Sequence, residues 1–199
     1  ALARILASEP KAILLDEPFT ALDSFLKWNL ELELSDLLSD FDGPILWVSH
    51  DLGECCRNCR TVCVMENGAS GTVTDMESLV RRPATQSAAR LTGCRNFLSA
   101  RSCEGGVRLD GWDITLPLST GDGTCTVAIP DSAVSLGAGP YRAQVFQTIL
   151  DLNEASVLLR PTWDAAGPLL RVSAPKAAAP VEGAAVAFDL LPEQCLCYR

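Results

Sequence analysis

Residues 12–18 read Ala12-Ile13-Leu14-Leu15-Asp16-Glu17-Pro18, and the chain runs on through Phe19-Thr20-Ala21-Leu22-Asp23. The apolar residues in succession describe a short strand buried on both faces, as at the centre of a parallel sheet. The strand ends in two adjacent carboxylates. Charge at the end of a buried strand is costly unless a cation or hydrogen-bond donors meet it. Pro18 then closes the strand, and Asp23-Ser24 offers a cap for a following helix. The Asp16-Glu17 pair is either a polar turn after a buried strand or a site, and residues further along decide between the two.

Working outward, Leu2, Ile5 and Leu6 have helical spacing, so residues 1–8 read as a helix end broken by Glu9-Pro10. A helix from Ser24 to about Phe41 carries Leu26, Leu30, Leu34, Leu37 and Phe41 on one face, and Asp42-Gly43-Pro44 ends it. Ile45-Leu46-Trp47-Val48 is a second apolar strand, stopping at Ser49-His50-Asp51. Residues 52–58 fit a short helix and residues 61–65 a third strand, with Glu66-Asn67-Gly68 as a turn and residues 71–74 as a return. Two short helices follow over residues 76–82 and 84–92, parted by Pro83. Strand, helix, strand, helix, strand is the order of a parallel sheet with helices on its faces.

Beyond about Arg101 the pattern changes. Short strand candidates at residues 107–116, 125–129, 141–147, 155–159, 169–172 and 185–190 are punctuated by Gly, Pro, Asp and Ser. That spacing predicts a small all-β barrel or sandwich, with residues 174–180 as a surface loop.

The bulk numbers exclude several classes. The 199 residues are 48% hydrophobic and 21% charged, which suits a globular chain of one or two domains with a real core. The net charge is −9, from 10 basic against 14 acidic residues up to Arg101 and 6 against 11 beyond it. Neither part is basic, which argues against a nucleic-acid surface. No run approaches the roughly 20 apolar residues of a membrane span, and Arg4, Glu9 and Lys11 interrupt any apolar signal core. Nine cysteines is an odd number without a secretion signal, so the thiols are expected to be reduced.

His50 is the only histidine, and it stands at the end of the second apolar strand in Val48-Ser49-His50-Asp51. A lone histidine is most often a surface or core residue. Its place at the carboxyl end of the next parallel strand reverses that reading, because ligands bind at such strand ends. Cys55, Cys56, Cys59 and Cys63 include one metal-like spacing, Cys56-x-x-Cys59, but a structural zinc site needs four convergent ligands. Buried packing is the simpler reading, as it is for Cys195 and Cys197.

Leu14-Leu15-Asp16-Glu17-Pro18, Ala21-Leu22-Asp23 and Val48-Ser49-His50-Asp51, in that order, resemble the Walker B segment, D-loop and switch histidine of ATP-binding cassette (ABC) ATPases. The resemblance covers residues 1–93 and implies the C-terminal part of a P-loop nucleotide-binding domain. By resemblance, Asp16 serves Mg²⁺ and the phosphates of ATP, Glu17 polarises the attacking water, His50 contacts the γ-phosphate and Asp23 lies at a dimer interface. The phosphate loop G-x-x-x-x-G-K-[ST] and the Leu-Ser-Gly-Gly-Gln signature do not occur in the sequence. The chain is therefore expected to be a fragment that opens in mid-helix at Ala1, lacks an N-terminal part and does not hydrolyse ATP by itself. Its central strand is expected to expose apolar flanks.

Residues 83–97 resemble the connection that leaves the ATPase domain in oxyanion importers, and residues 94–199 resemble their TOBE/MOP-like, OB-type regulatory barrel. Tyr141-Arg142-Ala143-Gln144 stands where such barrels have an Ile-Arg-Ala-His-like strand, with Gln144 replacing the histidine. Ser119, Thr120 and Lys176 are loop residues, and no oxyanion site is assigned to them. The fold class implied is α/β, a partial ABC parallel sheet followed by a small all-β barrel. The function implied is an ATP-hydrolysing subunit of a bacterial molybdate or related oxyanion importer, using ATP and Mg²⁺. Its implied partners are a second ATPase subunit and transmembrane permease subunits, with an oxyanion ligand at the barrel and no nucleic acid. Its place would be cytoplasmic, on the inner face of the cell membrane. The rival reading is an ATPase-inactive chain acting only as a ligand-sensing or dimerising β-barrel.

Overall fold

The computed structural model describes residues 8–20 and 22–199, the side chain of Ser24 excepted. Residues 1–7 of the expected helix end, and Ala21 of the D-loop-like stretch, lie outside the described residues. The chain divides into two compact units, one ending at Arg81 and the other beginning at Arg82.

In the first unit, strand β1 (Ile13–Asp16) leads to helix α1 (Ser24–Ser39) and then to strand β2 (Ile45–Val48). The two strands pair in parallel, Ile13 opposite Ile45 and Asp16 opposite Val48. The ladder is extended by Ile13 N–H to Pro44 O at 3.0 Å and by Glu17 N–H to Val48 O at 2.9 Å. Ile13 and Leu15 are buried with Phe19 and Leu34, whereas Leu14 is 71% exposed. The expectation of a strand buried on both faces is therefore corrected: α1 covers one face, and the strand's alternation leaves Leu14 on the other. Leu46, on the neighbouring strand, is also more than half exposed, in line with the expected uncovered flank, and so are Phe25 and Trp28 on α1.

Helix α1 is capped by Asp23, whose carboxylate accepts from the N–H groups of Phe25 and Leu26, each at 3.0 Å. Leu30, Leu34 and Leu38 pack into the core at successive turns, while Leu26 and Leu37 are exposed. The buried face is thus rotated from the expected one, because a leucine-rich helix offers several i, i+4 rows and the facing strand selects one.

Helix α2 (Leu52–Asn58) is capped by Asp51. Strands β3 (Thr61–Val62), β4 (Met65–Glu66), β5 (Ala69–Ser70) and β6 (Thr74–Asp75) follow, and helix α3 (Met76–Arg81) ends the unit. The expected third parallel strand does not join β1 and β2. β3 pairs antiparallel with β6, and β4 with β5, so this segment folds on itself. Asn67 and Gly68, with φ of 52° and 77°, make the tight turn that favours such local pairing.

The second unit opens with helix α4 (Gln86–Leu91), capped by Thr85. The sequence suggests a domain boundary near residue 93, and the compact units meet along the chain at Arg81–Arg82. Helix α4 and the residues around it pack with the β-strands that follow: Ala89 clusters with Cys94 and Ala128, and Tyr198 OH donates to Pro83 O at 2.8 Å.

Nine strands complete the unit: β7 (Asn96–Cys103), β8 (Gly106–Leu109), β9 (Ile114–Leu116), β10 (Thr124–Ile129), β11 (Val134–Leu150), β12 (Glu154–Pro161), β13 (Leu170–Pro175), β14 (Ala185–Leu190) and β15 (Leu196–Tyr198). They form two antiparallel sheets, in the orders β15-β10-β7-β8-β9 and β13-β12-β11-β14. One core joins them, with Trp112 against Phe188 edge-on at 5.7 Å and Tyr141 at 5.5 Å from Phe188. The all-β expectation holds. The stretch read as one strand over residues 107–116 is two, parted at Gly111 and Asp113, both with positive φ. In β11, a Cβ at Gly139 would lie 2.3 Å from Phe188 O, so only glycine lets the irregular stretch after Leu136 pass its partner. Among the described residues no helix is long and apolar enough to cross a membrane.

Candidate functional site

The parallel pairing of β1 and β2 sets their carboxyl ends side by side, and the two sequence motifs meet there. Glu17 leaves β1 with a positive φ of 48°, a conformation that non-glycine residues seldom adopt. Its N–H stays on the ladder through Val48 O while its carboxylate turns toward His50. His50 N–H donates to Glu17 Oε1 at 3.1 Å, and His50 Nδ1 lies 2.9 Å and 2.8 Å from Oε1 and Oε2. A carboxylate can only accept, so Nδ1 carries the proton, and Nε2 is the ring nitrogen that gains or loses one. Thr20 Oγ1 donates to Glu17 Oε2 from the turn after Pro18.

These contacts tune both groups. The Thr20 hydroxyl, and then the His50 imidazole, hold the Glu17 carboxyl below its ordinary range. The hydrogen bond to Glu17 and its charge push His50 up, with Glu54 and Asp51 adding to the effect. The pair is open to water: the Glu17 and His50 side chains are 34% and 71% exposed.

Asp16 ends β1 beside the pair and is exposed. Asp23 is not drawn into the pair, because its carboxylate is engaged as the cap of α1. Among the described residues no three His, Cys, Asp or Glu side chains gather as a metal cage. One exposed carboxylate still suits Mg²⁺, which keeps several waters and takes most other ligands from substrate phosphates.

The sequence did not single out Thr20, Lys27, Glu31 or Glu54. Thr20 acts through the left-handed turn at Glu17. Lys27 Nζ meets Asp51 Oδ2 at 2.5 Å and Glu54 Oε1 at 2.6 Å, and Glu31 takes the Arg57 guanidinium at 2.7 and 2.9 Å. Glu31 and Glu54 are buried, and helical spacing alone does not tell a buried glutamate from a solvated one. Of the helix cysteines, Cys55 is buried, Cys59 half-buried and Cys56 exposed. Burial pushes the Cys55 thiol up to about 11, so it stays protonated and packs as a small apolar group.

In the second unit, Gln144 Oε1 accepts from Arg160 Nε at 3.1 Å and Nη2 at 2.9 Å, and the guanidinium stands 5.3 Å over the Phe146 ring. The residue that replaces the expected histidine is thus occupied within the sheet.

Known proteins bear on this geometry. An Fe(3+) ions import ATP-binding protein, FbpC, of Escherichia coli is 33% identical over 137 residues, 68% of this chain and 39% of that protein. FbpC of Streptomyces coelicolor is 31% identical over 192 residues, 95% of this chain and 54% of its own length. The relatives are import ATP-binding proteins. A spermidine/putrescine member, PotA of Ruegeria pomeroyi, is 36% identical over 121 residues, 61% of this chain and 32% of that protein. The chain thus spans about a third to a half of the length of the curated relatives it matches. No family model matches the chain. Among solved structures, the cytoplasmic molybdate-binding protein ModG with molybdate bound is similar at a TM-score of 0.42 and 13% identity, over 53% of this chain and 96% of that one.

Proposed function

We propose that the chain is part of the ATP-hydrolysing subunit of a bacterial ABC importer, with Glu17 and His50 as the hydrolytic pair. The observation that carries this reading is the hydrogen-bonded Glu17–His50 pair at the carboxyl ends of two parallel strands, in a chain related to import ATP-binding proteins.

The chemistry follows from the atoms. Water attacking a γ-phosphate must lose a proton, and the terminal phosphate oxygens gather negative charge. Glu17 would orient the water through the carboxylate that His50 and Thr20 hold in place. Protonated His50, with Nδ1 bound to Glu17, presents Nε2–H to a phosphate oxygen. Asp16 would hold Mg²⁺ through water, and the ion supplies charge neutralisation at the phosphates. Asp23, at the start of α1, would face a second subunit. The phosphate loop is not in this sequence, so the reading assigns turnover to an importer subunit that carries one. Permease partners and a place on the inner membrane face are part of the same reading.

The test compares ATP hydrolysis by the longest in-frame polypeptide and by its Glu17→Gln variant. Loss of turnover with nucleotide binding retained supports the reading, and undiminished turnover removes Glu17 from its role.

For cargo we propose molybdate, tungstate or a related oxyanion, on the resemblance of residues 83–97 and 94–199 to oxyanion importers. The second unit has a core of its own, which also favours a ligand-sensing or dimerising module as a second reading. Calorimetry of the 199-residue chain with molybdate, tungstate, sulfate and spermidine separates these. Heat with the oxyanions alone supports the oxyanion reading, and heat with none leaves the sheets as a structural or dimerising element.

A further inference from the structure

Ser49 and Asp51 flank His50, and both side chains are engaged. Ser49 Oγ donates to Glu54 Oε2 at 2.6 Å and accepts from the Asp51 N–H at 3.0 Å. Asp51 Oδ1 accepts from the N–H groups of Gly53 at 2.8 Å and Glu54 at 3.3 Å, and its Oδ2 meets Lys27 Nζ. Glu54 is only 3% exposed, so its charge is poorly screened and needs a partner, which Lys27 supplies. Lys27 lies one turn into α1, and its own N–H donates to Asp23 O at 2.8 Å. One turn further, Glu31 holds Arg57 and Asn58 of α2. Helix α2 is thereby fastened to α1 near both of its ends, by Lys27 at the start and by Glu31 at the finish.

The His50 side chain is largely exposed, so packing does not hold it against Glu17. Its approach depends on the turn that carries it. We propose that Lys27 is a positioning residue for the Glu17–His50 pair: by binding Asp51 and Glu54 together, it ties the Asp23-capped start of α1 to the turn that presents His50. This rests on the reading of Glu17 and His50 as the hydrolytic pair. A displacement at Asp23 is then passed through one ammonium group to His50. Without Lys27, two unbalanced carboxylates repel at the start of α2, and the turn draws the His50 N–H and Nδ1 away from Glu17.

The test uses the 199-residue chain without nucleotide, so failure of the importer reading leaves its outcome unchanged. His50 is the only histidine, and its imidazole carbon-bound protons give one unambiguous titration curve. The charged groups acting on it are Glu17, Glu54 and Asp51, with Lys27 opposing the last two. In Lys27→Met, the proposal expects the His50 midpoint to fall below that of the native chain, because loss of the Glu17 contact outweighs loss of the Lys27 charge. Loss of a nearby positive charge with the geometry intact does the reverse and raises it. In a Glu17→Gln background, where no carboxylate charge remains to be withdrawn from His50, Lys27→Met should raise the midpoint. A midpoint unchanged or raised by Lys27→Met in the otherwise native chain overturns the proposal. Should Lys27→Met unfold the first unit, seen as lost amide protection in β1, Lys27→Arg and Lys27→Gln decide. A raised midpoint kept in Lys27→Arg and lost in Lys27→Gln supports positioning, and any other pattern overturns it.

Discussion

His50 Nδ1 stands 2.8 Å from Glu17 Oε2, and the His50 N–H stands 3.1 Å from Glu17 Oε1. One carboxylate therefore grips both the backbone and the ring of a residue 33 positions away, across the ends of two parallel strands. Such a grip fixes the rotation of the imidazole and assigns its tautomer. It also links the protonation of each group to the other.

That link predicts a pH window. The folded value of His50 is raised above its ordinary 6.5, so its contribution is complete below 6.5 and is lost as pH rises through the raised value. The folded value of Glu17 is lowered from its ordinary 4.5, so its contribution is complete above 4.5 and is lost as pH falls through the lowered value. Both are in force between pH 4.5 and 6.5. An NMR titration of His50 should give a midpoint above 6.5, and Glu17→Gln should bring it back toward 6.5. A native midpoint at or below 6.5 would mean that the pair does not form in solution.

The cap of α1 makes a second prediction. Asp23 accepts from two N–H groups that have no partner within the helix. Asp23→Ala should cost about 1 kcal/mol of first-unit stability, and Asp23→Asn only a few tenths, since Asn caps nearly as well. Hydrogen exchange at Phe25 and Leu26 should accelerate in the Ala variant. Equal exchange rates in the two variants would separate the cap from the carboxylate.

The rotated face of α1 is tested by two leucines three residues apart. Leu34 is 5% exposed and packs with Ile13, Leu15 and Phe19, whereas Leu37 is 50% exposed. Leu34→Ala should destabilise the first unit by about 2–5 kcal/mol, and Leu37→Ala by less than about 0.5 kcal/mol. Denaturant unfolding followed through the first unit compares them. Similar costs would restore the face that helical spacing alone suggests.

These residues show how far the sequence could be read. That Glu17 and His50 stand together at the ends of two strands was legible, because strand pattern and motif order place residues without any knowledge of packing. The start of α1 at Asp23 and the existence of a switch to β-structure were legible, being local in origin, but the switch falls at Asn96 with β7 and not after Arg101. The buried row of α1 was not, since several leucine rows compete and only the facing strand chooses. The hairpin return after residues 61–65 was legible from the Asn67-Gly68 turn, but its separation from β1 and β2 was not, because a short β run reads alike whether or not it also joins a parallel sheet. Lys27, Glu31 and Glu54 look like ordinary helix-surface charges until the second helix is placed against them. Asn96 was read as part of a connection, since one polar residue ahead of Phe97 gives no sign of a partner 75 residues away.

Asn96 makes the last prediction. Strand β13 is at the edge of its sheet, so its outward N–H and C=O groups need partners from elsewhere. Asn96, on β7 of the other sheet, supplies them: Oδ1 accepts from the Arg171 N–H at 2.7 Å, and Nδ2 donates to Arg171 O at 2.8 Å and to Ile129 O at 3.0 Å. The side chain is 3% exposed, so water does not readily replace these bonds. Asn96→Ala should cost the second unit about 2–4 kcal/mol, from the lost bonds and the stranded backbone groups of Arg171. Asn96→Asp should cost at least as much, because a carboxylate cannot donate to the two carbonyl oxygens. Unfolding followed by tryptophan fluorescence reports through Trp112, which is buried in the same core. A loss below about 0.5 kcal/mol in both variants would show that the two sheets are held by apolar packing alone.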